Sequence, residues 1–132
     1  MATFHFELVS PAKLVFEGPV DSVVVPGIEG DMTIMANHAA LMTSLRPGIV
    51  TIADGKAPRR LFVRGGFADV NASGLTILAE QATPVEELSA ETIAKEMQNA
   101  EEDLRDAKTD EAKRKATEKL GQLKDVMAAI RS

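Results

Sequence analysis

Leu75-Thr76-Ile77-Leu78-Ala79-Glu80-Gln81-Ala82-Thr83-Pro84-Val85-Glu86-Glu87-Leu88-Ser89-Ala90-Glu91-Thr92-Ile93 is the stretch in which the chain changes its hydrophobic period. Upstream of it, apolar residues come in short runs. Phe4, Phe6 and Leu8 alternate with Thr3, His5 and Glu7, the period of two that marks a half-buried strand. Val20 to Val25, Met32 to Met35, Ile49 to Ile52, Leu61 to Val63, Phe67 to Val70 and Leu75 to Leu78 are further runs of strand length. Ser10-Pro11, Gly18-Pro19, Pro26-Gly27, Pro47-Gly48, Asp54-Gly55, Gly65-Gly66 and Ser73-Gly74 separate them and read as turns. Short strands at such intervals predict a flattened β-sandwich over residues 1–84.

Downstream of Pro84 the period is helical. Ile93, Met97, Ala100, Leu104 and Ala107 form one apolar stripe, and Ala112, Ala116, Leu120, Leu123, Met127 and Ile130 form a second. Thr83-Pro84-Val85-Glu86 reads as a capping box opening the first helix, with Ser89 as the alternative cap. Asp106-Ala107-Lys108-Thr109-Asp110 breaks the two stripes apart and supplies a second start. Residues 85–132 are therefore expected to form an antiparallel helical hairpin. Its stripes are narrow and rich in Ala, so it should dock weakly and move. The sandwich, whose strands are complete before Pro84, is expected to fold without it.

Composition removes several function classes. The 132 residues carry 15 basic and 20 acidic side chains, a formal net charge of -5. That balance disfavours binding to a phosphate backbone. With no Trp or Tyr and five Phe, stacking on single-stranded nucleic acid is disfavoured too. There is no cysteine, which excludes disulfides and thiolate chemistry. The longest apolar runs are too short to span a bilayer, and the N-terminus has no basic leader, so neither nucleic acid nor direct lipid insertion is expected.

Catalytic groupings are scarce. His5 lies on the polar side of the first strand, and His38 sits among small residues in Ala36-Asn37-His38-Ala39-Ala40-Leu41; two histidines offer little to a metal ion. Glu29 and Asp31 share a Gly-flanked turn, where solvent keeps two carboxylates from dividing acid and base roles. No Gly-rich phosphate loop and no Gly-x-Ser-x-Gly elbow is present. Lys108, Lys113, Arg114, Lys115 and Lys119 form a basic cluster early in the second helix, by default a solvated face. No catalytic residue, cofactor or metal is expected, and binding is the function that remains.

Phe6-Glu7-Leu8-Val9-Ser10-Pro11, Gly27-Ile28-Glu29-Gly30-Asp31-Met32-Thr33-Ile34, Asn37-His38-Ala39-Ala40-Leu41-Met42-Thr43, Leu45-Arg46-Pro47-Gly48 and Gly65-Gly66-Phe67-Ala68-Asp69-Val70 occur in an order and spacing that, with the helical tail, resembles the epsilon-subunit family of the F-type ATP synthases. The resemblance covers essentially the whole chain. It implies a ten-stranded sandwich at the foot of the central stalk, on the cytoplasmic face of the bacterial inner membrane. That sandwich would join the gamma subunit to the polar loops of the c-ring. The c-ring contact then falls on Glu29, Gly30 and Asp31. The gamma contact falls on Ser10, His38, Ala39 and Ala40. The basic cluster from Lys108 to Lys119 would meet the catalytic alpha and beta subunits when the tail restrains ATP hydrolysis. Some family members bind ATP through an Ile-Asp-x-x-Arg-Ala type motif; here Ala90 stands where its arginine would be, and no basic residue occurs between Arg64 and Lys95. A free-standing binding module unrelated to the synthase is the competing reading.

Overall fold

The computed structural model describes residues 2–131. Alternation in Phe4–Val9 produces strand β1, which buries Phe6 and Leu8 and leaves His5 exposed. It is followed by β2 (Leu14–Val20), β3 (Ser22–Gly27), β4 (Gly30–Met35), β5 (Leu41–Ala53), β6 (Arg59–Asn71), β7 (Gly74–Ala79) and β8 (Ala82–Pro84). The strands are hydrogen-bonded in the order β2-β1-β7-β6-β5-β3-β4, with β8 beside β6. Most neighbours are antiparallel, but β1 runs parallel to β7, pairing Phe6 with Leu75 and Leu8 with Ile77. Phe6 near one end of this order and Val23, Val25 and Ile34 at the other belong to one core cluster. A flat sheet seven strands wide would keep its ends roughly 29 Å apart, so the sheet closes on itself as a sandwich. No polar side chain is buried among the described residues.

Two predicted turns are bends inside strands. Pro47-Gly48 lies within β5 and Gly65-Gly66 within β6, both strands 13 residues long. These bends face each other, with Leu45 opposite Gly66 and Pro47 opposite Arg64. Each long strand thus serves two parts of the sheet, the usual way a strand turns a sandwich corner. Counted by their halves, the eight strands make the ten that the resemblance implies. Gly18-Pro19 also lies inside a strand, β2, and Pro26-Gly27 ends β3. The Thr83-Pro84 capping box does not form: Thr83 pairs with Phe62 and Pro84 with Leu61 in the β8–β6 ladder.

Ser89 is the cap instead. Its side chain accepts the Thr92 N–H at 3.2 Å and opens helix α1 (Ala90–Asp106). Thr109 Oγ1 accepts the Ala112 N–H at 3.1 Å and opens α2 (Asp110–Arg131). Residues 107–109 join them, a link short enough to fold the two helices into a hairpin. Ile93 and Ala100 of α1 and Ala116, Leu123, Val126 and Met127 of α2 are buried, while Ala112 of the predicted stripe is exposed.

The chain divides into two compact units, Met1–Pro84 and Val85–Ser132. Every member of the sandwich core cluster comes from the first. A fragment ending at Pro84, which keeps β8, is therefore expected to unfold cooperatively on heating. A fragment that aggregates, or that lacks a heat-absorption peak, would assign the helices an essential share of that core.

Candidate partner-binding site

The acidic turn is the tip of the β3–β4 hairpin. Gly27 pairs with Gly30, leaving Ile28 and Glu29 as the two connecting residues. Gly30 has φ 143, a conformation side chains resist. Ile28 is 63% exposed, and Glu29, Gly30 and Asp31 are exposed beside it. The tip is anchored from β5. The Ile28 N–H donates to the Ser44 carbonyl at 3.0 Å. Arg46 donates from Nη1 to the Gly27 carbonyl and from Nη2 to Asp31 Oδ1, both at 2.6 Å. Asp31 is thus an ion-paired carboxylate, a partnership 15 residues apart in sequence that local patterning does not reveal.

The four residues assigned to gamma form two groups. Ser10 follows β1, where its hydroxyl donates to the Lys13 carbonyl at 3.3 Å. His38 follows β4 in a tight turn shaped by Asn37, at φ 68. Its Nδ1–H donates to the Ala39 carbonyl at 2.8 Å, and Ala39 and Ala40 are exposed next to it. His38 and Ala40 line a cleft of about 610 Å³ with Thr3, His5 and Asn71, at the start of β1. Ser10 lies five residues beyond His5, roughly 16 Å along an extended strand. The cluster at His38 and the one at Ser10 therefore mark opposite ends of β1.

Exposed apolar side chains stand at the Ser10 end of this face, with Met42 two residues further along β5 toward His38. Leu78 stands opposite Val9 on one side and Phe67 on the other, and Phe67 stands opposite Ser44. Phe67 and Leu78 are each 55% exposed and Met42 is 69% exposed. With Ser10 and Pro11, Phe67 and Leu78 border a shallow hollow of about 320 Å³. In the sequence, Phe67 to Val70 and Leu75 to Leu78 read as strands. Extending the alternation from buried Ala68 and Ile77 would have put Phe67 and Leu78 on the solvent side. The hairpin tip lies at the Ser10 end of the same sheet, because Gly27, Leu45, Gly66 and Ala79 form one cross-strand row.

The basic tail cluster is dispersed. Lys108 lies in the inter-helix link, and Lys113, Arg114, Lys115 and Lys119 are exposed on α2. At about 100° per residue, Lys115 and Lys119 share a direction while Lys113 and Arg114 point elsewhere. Lys115 pairs with Glu111 at 3.5 Å. The helix therefore presents mixed charge instead of one cationic face.

One group with metal-ligand chemistry occurs among the described residues. His5 Nε2 is 3.1 Å from Glu7 Oε1 and 3.5 Å from Glu17 Oε2, because Glu7 pairs with Glu17 across β1 and β2. The hydrogen bond from His5, then that with Glu17, holds the Glu7 carboxyl below its ordinary value of 4.5. All three groups are open to solvent, and of them only His5 also lines the cleft beside His38.

Residues 3–85 match the family model described as ATP synthase, Delta/Epsilon chain, beta-sandwich domain. An ATP synthase epsilon chain of Parvibaculum lavamentivorans is 51% identical over 127 residues, covering 96% of each chain. One from Mesorhizobium japonicum is 46% identical over 128 residues, covering 96% of this chain and 95% of that one. Among solved structures, a chain in the OSCP/F1/c-ring assembly of Euglena gracilis mitochondrial ATP synthase superposes with a TM-score of 0.84. It shares 25% identity, over 98% of this chain and 82% of that one. A Tetrahymena thermophila mitochondrial ATP synthase chain shares the fold, at TM-score 0.75 and 18% identity over 98% and 97% of the two chains.

Proposed function

The chain belongs to the delta/epsilon family of ATP synthase chains, and from that premise we propose how its surfaces divide the work of the subunit. It is an epsilon-type, non-catalytic subunit of an F-type ATP synthase, part of the rotary central stalk in ATP synthesis and ion transport. It is peripheral to the membrane, and no described helix is long and apolar enough to cross one. We infer that it works at the cytoplasmic face of a bacterial inner membrane, as its bacterial relatives suggest.

The sandwich links gamma to the c-ring. Supporting this is the presence of two unlike surfaces on one closed sheet: the apolar patch of Met42, Phe67 and Leu78, and the anchored acidic tip. The apolar patch suits an elongated protein partner, which would bury it and reach Ser10 at one end and His38, Ala39 and Ala40 at the other. Gamma is that partner. The tip, carrying a free carboxylate, suits the basic polar loops of the c-ring. Torque transfer needs a part that does not deform, and a sandwich with an all-apolar core supplies it.

Co-purification tests this reading. Phe67→Asp with Leu78→Asp is expected to abolish recovery with gamma, since two charges would be buried without partners. Both side chains face solvent, so the sandwich should stay folded. Undiminished gamma binding by a folded double variant would overturn the assignment.

The helical unit is proposed as the regulatory part, restraining hydrolysis by contact with the alpha and beta subunits through Lys108, Lys113, Arg114, Lys115 and Lys119. At 1.5 Å per residue the 22-residue α2 would reach ~33 Å when extended along the stalk. The fragment ending at Pro84 should then bind gamma while hydrolysis by the assembled enzyme rises.

Nucleotide sensing is not part of this proposal. Glu86 and Glu87 lie in a 3-10 turn before α1, and Glu91 is in its first turn. Three acids repel a triphosphate, which needs cations or converging backbone amides. Calorimetry with Mg-ATP is expected to give no saturable signal in the micromolar range. A micromolar isotherm that disappears on replacing Lys113, Arg114 and Lys115 would show a site on α2.

A further inference from the structure

Strand pairing assembles a ligand set that spacing along the chain does not disclose. Phe6 and Leu8 are buried, so alternation turns His5 and Glu7 outward on β1. Glu17 of β2 stands directly opposite Glu7 and diagonally from His5, whose own partner is Pro19. Residues in these relations share one face of the sheet. His5 Nε2 lies 3.1 Å from Glu7 Oε1 and 3.5 Å from Glu17 Oε2, and one ligand atom from each of the three residues lies within 4.8 Å of the others. Zinc bonds to imidazole nitrogen and carboxylate oxygen are about 2.0–2.2 Å long, so two ligands of a tetrahedral ion stand roughly 3.4 Å apart. The two distances from His5 Nε2 bracket that edge.

We propose that His5, Glu7 and Glu17 form a binding site for a borderline divalent cation of the zinc class, held between β1 and β2. One imidazole and two carboxylates leave one tetrahedral position, which water fills in a place open to solvent. The three side chains are 47%, 36% and 49% exposed, so an ion reaches them without any opening of the sandwich. The donor set also selects among cations. Calcium and magnesium take six or more oxygen ligands, whereas imidazole suits zinc, nickel and copper. Like charges directly opposite in a ladder destabilise it. A divalent ion would turn the facing carboxylates of Glu7 and Glu17 from a repulsive pair into a bridge. β2 ends the strand order, and β1 is its one described partner. The ion therefore pins the end of the sheet.

Calorimetry of the full-length, tag-free subunit with zinc chloride tests the site. One zinc per chain is expected to bind, saturably and in the micromolar range, while magnesium and calcium at the same concentrations give no signal. At a hundredfold excess of zinc over its dissociation constant, the melting midpoint of the sandwich should rise by about 10 °C. Losing even a partner outside the ligand shell typically costs about 10–100-fold in metal affinity, so Glu17→Gln and His5→Gln, which remove ligands, should each weaken zinc binding at least about tenfold. Both positions are exposed, so without zinc these variants should melt within about 2 °C of the natural chain. Glu17→His keeps a ligand at the same place and should bind zinc at least as tightly as the natural chain, which separates loss of a ligand from loss of the fold. No saturable zinc binding would overturn the inference, and so would failure of Glu17→His to bind. An isotherm that Glu17→Gln leaves unchanged would overturn it too, reducing the site to an adventitious contact elsewhere on the chain.

Discussion

Gly66→Ala is expected to unfold the sandwich at ordinary temperatures or to lower its melting point by at least about 12 °C. Gly66 has φ 133, and a Cβ there would stand 2.0 Å from the Leu78 carbonyl oxygen and 2.9 Å from the Ala79 Cα. Both atoms belong to the backbone of β7, so relief requires moving a strand that pairs with β1 on its other side. Strain at such a φ together with forced displacement of a packed strand costs on the order of 3 kcal/mol or more. For a domain of this size, each kcal/mol shifts the midpoint by roughly 4–8 °C. Gly121→Ala is the control. A Cβ there meets nothing within 4 Å, and the position lies inside α2. Replacing a helical glycine by alanine should stabilise that helix by about 0.5–1 kcal/mol. Differential scanning calorimetry on the two variants reads both effects. A Gly66→Ala melting point within about 2 °C of the natural chain would mean that the β6 bend is not as tightly packed as the strand geometry requires.

That bend marks the limit of what the sequence discloses. The change of period at Pro84 was legible because alternation and the helical stripe are local signals spread over many residues. The break at Asp106–Asp110 was legible for the same reason, and so was the hairpin tip between Gly27 and Gly30. Pro47-Gly48 and Gly65-Gly66 misled because a chain reversal and a bend in a continuous strand call on the same residues. Only the partner strand distinguishes them, and pairing is non-local. The placement of β1 beside both β2 and β7, with Glu7 meeting Glu17, is hidden for the same reason. Arg46 had no visible role until β5 lay against the hairpin. Two further features are local enough to be read from the sequence. Parity along β6 and β7 puts Phe67 and Leu78 outside, and rotation around α2 turns Lys113 and Arg114 away from Lys115 and Lys119.

Reversing both acids of the tip, Glu29→Lys with Asp31→Lys, is expected to detach the sandwich from the c-ring and stop proton-driven ATP synthesis, while gamma binding persists. Both side chains are exposed and neither is in the core cluster, so the change leaves the sandwich folded. In the proposed contact, Glu29 would turn from a carboxylate facing basic loops into a like charge. Like charges juxtaposed at an interface cost several kcal/mol. The second introduced ammonium would stand where Asp31 now accepts from Arg46 at 2.6 Å, repelling that guanidinium and releasing the Gly27 carbonyl. The tip would then lose its charge and its shape together. A loss of about 3 kcal/mol corresponds to more than a hundredfold in affinity. Glu29→Lys alone keeps the Arg46 anchor, so comparing it with the double variant divides the loss between charge and geometry. The apolar row at Phe67 and Leu78 lies on other strands and is untouched, which makes recovery with gamma the internal check. Loss of gamma together with the ring would mean the sandwich had been damaged. Retention of ring binding and synthesis by a double variant that still binds gamma would place the ring contact elsewhere on the sandwich.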